Sequence, residues 1–67
     1  MFDITDEIEK NAFYSIVNSV ADITGINYGL VEEVVNELWT QEELFGFLVN
    51  PALMIYEWIP YVKQFIL

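Results

Sequence analysis

The sequence contains no cysteine, no histidine and no arginine, and its only cations are Lys10 and Lys63. Each absence removes a class of chemistry. Without cysteine there is no disulfide framework and no thiolate metal site. Without histidine the chain lacks the commonest metal ligand and the commonest general acid–base group at neutral pH. Eleven carboxylates stand against the two lysines, for a net charge of -9. Such a chain repels phosphate backbones and anionic lipid surfaces and is drawn towards basic ones. No glycine-rich loop that would cradle a phosphate and no calcium-loop spacing is present. The adjacent pairs Glu32/Glu33 and Glu42/Glu43 are no catalytic dyads, because sequence neighbours point in different directions on a helix. The reading is a non-enzymatic chain with no cofactor and no metal site.

What is present is apolar. Hydrophobic residues make up 55% of the 67 residues and aromatics 16%, against a usual apolar share of about 45–50%. A chain of this length makes one domain and buries only about 60% of the surface it exposes when unfolded. Part of the apolar content is therefore expected outside the core, as a partner groove or a self-association face. The start, "MFDITDEIEK", is acidic where a secretory signal needs basic residues before an apolar run. A cytoplasmic setting is the expectation, consistent with the missing cysteine.

Hydrophobic spacing predicts an all-α fold, a small bundle of four to five short helices with an N-terminal helical hairpin. The first helix is expected over residues 3–24, with Asp3 as N-cap and Asp6, Glu7 and Glu9 favourable to the dipole of the first turns. Ile8, Ala12, Phe13, Ile16, Val17, Val20 and Ile23 form its apolar set, with Glu9, Asn11, Asn18 and Asp22 on the wet face. Gly25 stops it. Asn27 caps a second helix with the apolar stripe Val31, Val34, Val35 and Leu38 and a wet face of Glu32, Glu33, Asn36 and Glu37. Thr40 and Glu43 form a capping box for a short third helix over residues 41–49. Asn50-Pro51 opens a fourth, because asparagine caps and proline suits the first helical position. Pro60 either kinks this helix or opens a final turn. The spacing of Ile55, Trp58, Ile59, Val62, Phe65 and Ile66 continues across Pro60 and favours a kinked continuous helix.

Charge divides the single domain in two. Residues 1–43 hold ten of the acids and one lysine, whereas residues 44–67 hold only Glu57 and Lys63. The chain thus reads as an acidic hairpin arm followed by apolar C-terminal helices. The apolar half is not expected to span a membrane. Asn50, Pro51, Glu57, Pro60, Lys63 and Gln64 interrupt it, and a charge near the centre of a span costs roughly 2.5–3.5 kcal/mol.

From Val17 the chain reads "VNSVADITGINYGLVEEVVN", and over residues 17–36 it resembles the helix-turn-helix superfamily at motif level. Small Ala21 stands at the fifth position and Gly25 at the ninth. Val20, Ile26, Val31 and Val34 fill apolar slots at the fourth, tenth, fifteenth and eighteenth. Thr24 departs from the usual apolar eighth position. The resemblance implies a tight pair of helices. It does not imply DNA reading here, because Tyr28, Glu32, Glu33, Asn36 and Glu37 occupy the positions where base and phosphate contacts belong, and no cation accompanies them.

The expected function is therefore protein–protein interaction, with no direct nucleic acid and no membrane. Asp22, Glu32, Glu33, Glu37 and Glu42 form the candidate acidic face, suited to a partner with a basic or nucleic-acid-binding surface. Trp39, Phe45, Tyr56, Trp58, Tyr61 and Phe65 form the candidate apolar face, for a partner or for a homo-oligomer, with Trp39 and Trp58 expected to be partly exposed. Phe47 belongs with these aromatics as groove, seam or core. In size and charge the chain resembles the small acidic inhibitors that bacteriophages make against host nucleases and polymerases, which implies mimicry of nucleic acid. A solvated polar face opposite the core, a structural homo-oligomer built on the C-terminal helices, and a helix-turn-helix adaptor that reaches DNA only through a basic partner remain alternatives.

Overall fold

The computed structural model describes residues 6–66, which form four helices and no strand. These are α1 (Glu7–Thr24), α2 (Tyr28–Leu38), α3 (Gln41–Val49) and α4 (Pro51–Ile66). Local chemistry sets each boundary. Asp6, not Asp3, caps α1, its carboxylate accepting from the amides of Ile8 at 3.0 Å and Glu9 at 3.2 Å; Asp3 lies outside the described residues. Gly25 ends α1 at a left-handed φ of 73° and donates its amide to the Ala21 carbonyl at 2.9 Å. That backbone region costs a residue with a Cβ roughly 1–2 kcal/mol.

Thr24 explains its own departure from the apolar slot. Its hydroxyl donates to the Val20 carbonyl at 2.6 Å and accepts from the Ile26 amide at 3.3 Å. One polar side chain therefore ties the Ile26 amide beyond the turn back to the last turn of α1. Asn27 then caps α2 by accepting from the Gly29 amide at 2.9 Å. Thr40 and Glu43 close the capping box of α3, with the Thr40 amide donating to the Glu43 carboxylate at 3.0 Å. Asn50 accepts from the Leu53 amide at 3.2 Å as α4 begins. Pro60 lies inside α4, which runs unbroken to Ile66. Pro60 and Tyr56 are both exposed, so water can take up the carbonyl that the missing proline N–H leaves free.

The four helices share one buried cluster. Helix α1 packs against each of the other three, α4 packs on α2 and α3, and α2 and α3 do not touch. Ala12, Phe13, Ile16, Val17 and Val20 supply the α1 side, faced by Val31 and Val35 from α2, Leu44 from α3, and Trp58 and Val62 from α4. The radius of gyration of 10.8 Å is close to the ~11 Å of a compact chain of this length. The exposed apolar side chains described below are thus not the product of an open bundle.

Three expectations about burial are corrected. Ile8 and Ile23 are exposed rather than part of the core stripe. Glu9, assigned to the wet face, is 1% exposed and accepts from the Gln41 side chain at 2.8 Å. Helical geometry accounts for this, because Glu9, Phe13, Ile16 and Val20 follow the i, i+4, i+7, i+11 row that faces the core. A carboxylate at the head of that row is tolerated because it is hydrogen-bonded. Trp39 and Trp58 are only 4% and 2% exposed. The extended backbone of Trp39 ends α2, and its ring meets the Phe13 ring edge-on at 5.4 Å.

Candidate interaction surfaces

Helix α2 carries two parallel apolar rows. Val31 and Val35 face the core and are fully buried. Beside them Leu30, Val34 and Leu38 recur at i, i+4 and i+8, and Leu30 and Leu38 remain exposed. This second row spans about 12 Å along the helix axis. It forms one wall of a groove of about 480 Å³, whose other wall is Phe65 and Ile66 from the last turn of α4. Glu33, Asn36 and Glu37 complete the lining. Glu33 and Glu37 are exposed and lie one helical turn apart on the same face. The Asn36 amide oxygen is buried and has no hydrogen-bond donor among the described residues.

A second groove, of about 310 Å³, lies between α3 and α4 and is lined by Glu42, Glu43, Met54, Glu57, Trp58 and Tyr61. Glu43 is already engaged there with the Thr40 amide and hydroxyl. The Trp58 and Tyr61 rings meet edge-on at 5.9 Å, and the indole N–H of Trp58 is buried without an acceptor among the described residues. A third, of about 330 Å³, shares Met54 and Glu57 with the second and is lined besides by Phe45, Gly46, Val49, Asn50 and Leu53. Met54 packs so closely on Gly46 that a Cβ there would run into its methyl group.

The predicted residues are thus regrouped. The sequence divides them into an acidic N-terminal face and an apolar C-terminal face, yet the fold brings Glu33 and Glu37 together with Phe65, and Glu42 together with Tyr61 and Trp58. Asp22 is exposed on α1 and Tyr56 on α4, away from these three grooves. Glu32 is half-buried beside Tyr28; partial burial of that phenol, and secondarily the Glu32 carboxylate, push its pKa upward. Trp39 and Trp58 belong to the core, so Trp39 offers no outer surface and Trp58 only floors a groove. Phe47 is half-buried against the core. Leu30 is the groove residue that sequence reasoning missed. Its signal was available in the i, i+4, i+8 row running beside Val31 and Val35.

No family model matches this chain, and neither does any curated protein or solved structure.

Among the described residues no three acidic side chains converge as a metal-binding group. No helix among them is long and apolar enough to cross a membrane. What the fold does present is carboxylate and hydrocarbon side by side, beginning with Glu33, Glu37 and Phe65.

Proposed function

We propose that this protein is a small non-enzymatic interaction protein that regulates or inhibits a larger protein partner through its acidic surface. The observation that supports this is the exposure of Asp22, Glu33, Glu37 and Glu42 on a half-chain whose only cation is Lys10. With ten acids and one lysine in residues 1–43, most of these carboxylates have no cation of their own. A basic surface on a partner supplies the missing charge, and electrostatic steering speeds the encounter. A channel that ordinarily holds DNA or RNA is such a surface, so mimicry of a phosphate run is the mode of inhibition this reading implies.

The test is capture from cell lysate by the wild-type chain and by the E32Q/E33Q/E37Q variant, followed by identification of the captured proteins. The expected outcome is a basic or nucleic-acid-binding protein held at low salt, released at moderate salt and displaced by a DNA or RNA fragment. It is lost in the triple variant. Equal capture by both forms overturns the proposal.

A second reading is supported by a different surface. Phe45, Leu48, Val49, Leu53 and Tyr56 are all exposed on α3 and α4, Val49 at 85%, and Glu57 is the acid in the lining of the groove formed by Phe45, Val49 and Leu53. A face this apolar suits pairing of copies, which reduces its exposure to water. Light scattering decides it, since a strict monomer at high concentration excludes assembly through this face.

A further inference from the structure

The groove between α2 and the last turn of α4 has properties that narrow what it accepts. Its floor and walls are hydrocarbon, from Leu30, Val34, Leu38, Phe65 and Ile66. Phe65 is 64% exposed and so contributes little to the core. Its rim is anionic, with Glu33 and Glu37 about 6 Å apart along the axis of α2. Asn36 is the uncharged polar residue of its lining. The charged groups of the rim therefore seek a cation, and the apolar side chains seek hydrocarbon.

That combination discriminates between occupants. A second copy would bring its own Glu33 and Glu37, or another part of a chain of net charge -9, against an anionic rim, and like charges so placed are unfavourable. A neutral apolar segment would leave the rim carboxylates facing it without counter-charge. An amphipathic segment with both hydrocarbon and ammonium or guanidinium groups meets both demands. The row Leu30, Val34, Leu38 repeats every four residues, and a helix that presents apolar side chains at i and i+4 matches that repeat.

Building on the acidic-interaction reading above, we infer that this groove receives a basic amphipathic helix of a partner protein, with apolar side chains seated against Leu30, Leu38 and Phe65, and lysine or arginine side chains on the Glu33 and Glu37 carboxylates. The acidic reading concerns the sign of the surface. This inference adds a place, a partner shape and an apolar anchor, and it holds that charge alone is insufficient.

The test uses the full chain and a synthetic helix-forming peptide of about four turns, with leucines at i and i+4 flanked by lysines. A version with glutamate for every lysine and a scrambled version of the same composition serve as controls. Binding is followed by calorimetry and by the backbone amide shifts of the labelled protein. The expected result is saturable binding of the basic peptide, with shifts concentrated at Leu30 to Leu38 and at Phe65 and Ile66. Phe65→Ala is expected to weaken binding at least tenfold. E33Q/E37Q is expected to weaken it several-fold and to flatten its salt dependence, and E7Q, on the exposed start of α1, to leave it unchanged. The acidic and scrambled peptides are expected not to bind. Equal binding of the acidic peptide overturns the inference, as does binding untouched by Phe65→Ala or mapped to α3. If the basic peptide binds away from the groove in a salt-dependent way, the groove falls while the acidic-surface reading stands. If no cationic peptide binds and lysate capture is also charge-independent, both fall. Concentration-dependent shifts at Leu30 and Phe65 without any peptide would identify a second copy as the occupant and would equally overturn the inference.

Discussion

Helices α1 and α3 use their apolar residues in opposite ways. Helix α1 places Ala12, Phe13, Ile16, Val17 and Val20 in the core and turns Asn11, Ser15, Asn18 and Asp22 outward. Helix α3, "QEELFGFLV", ends in six consecutive apolar residues, counting Gly46, and buries only Leu44 among them. The same difference separates the outer surfaces of the two halves. One sets carboxylates among its exposed Ile8, Ile23, Leu30 and Leu38, and the other carries Phe45, Leu48, Val49 and Leu53 in the open with few charges. An apolar residue in this chain is therefore not a core residue by default. Among the described residues twelve large hydrophobics are exposed against eleven apolar side chains buried. That surplus lies on the outside of a bundle whose radius of gyration, 10.8 Å, is already that of a compact chain.

Four substitutions probe this contrast. The largest effect is expected at the centre of α1. Phe13 is 1% exposed and its ring meets both Tyr14 and Trp39 edge-on, so Phe13→Ala is expected to cost about 3–5 kcal/mol. That is enough to unfold a small domain in a urea titration read by circular dichroism, and a loss under 1 kcal/mol would mean that α1 is not the structural half. Gly25→Ala comes next, at roughly 1–2 kcal/mol from the left-handed backbone alone, since nothing crowds a Cβ there. A midpoint unchanged in the same titration would show that the turn has relaxed away from φ 73°. Thr40→Ala removes the side-chain half of the α3 capping box and is expected to cost about 1 kcal/mol, with hydrogen exchange quickening at the Glu42 and Glu43 amides before the rest of the chain responds. The smallest effect on stability belongs to the double change Phe45→Ser/Leu53→Ser, expected within about 0.5 kcal/mol of wild type because both side chains are exposed. If copies pair through this face, the same variant is monomeric by light scattering where the wild type is not; a large loss of stability would instead mark these residues as core.

Legibility in the sequence followed the range of the interactions. The caps at Asn27, Thr40/Glu43 and Asn50 and the stop at Gly25 are fixed by neighbours within four residues, and all were readable in advance. Asp6, read in the sequence as a first-turn residue, is the cap of α1, because the helix starts later than the spacing suggested. The burial of Glu9 depended on Gln41, 32 residues away, so polarity pointed one way and the helical row the other, and the row prevailed. Trp39 and Trp58 were expected at the surface because large rings are seldom fully covered; packing of Phe13 against one and the convergence of α1 and α4 around the other reversed that. The candidate acidic and apolar residues were legible as types. Their regrouping was not, because Glu33 and Phe65 are joined only when α4 folds back across α2.

The burial of both tryptophans decides what light can report about this molecule. Indole emission follows the polarity around the ring, and here both rings sit within the shared cluster, one against Phe13 and the other beside Tyr61. Intrinsic fluorescence excited in the indole band is therefore a readout of core integrity. It should shift to the red on unfolding and stay silent when a ligand settles beside Phe65, whose groove contains neither indole. A binding titration that moves the emission maximum is thus reporting a change inside the bundle or a ligand in the α3–α4 groove that Trp58 floors.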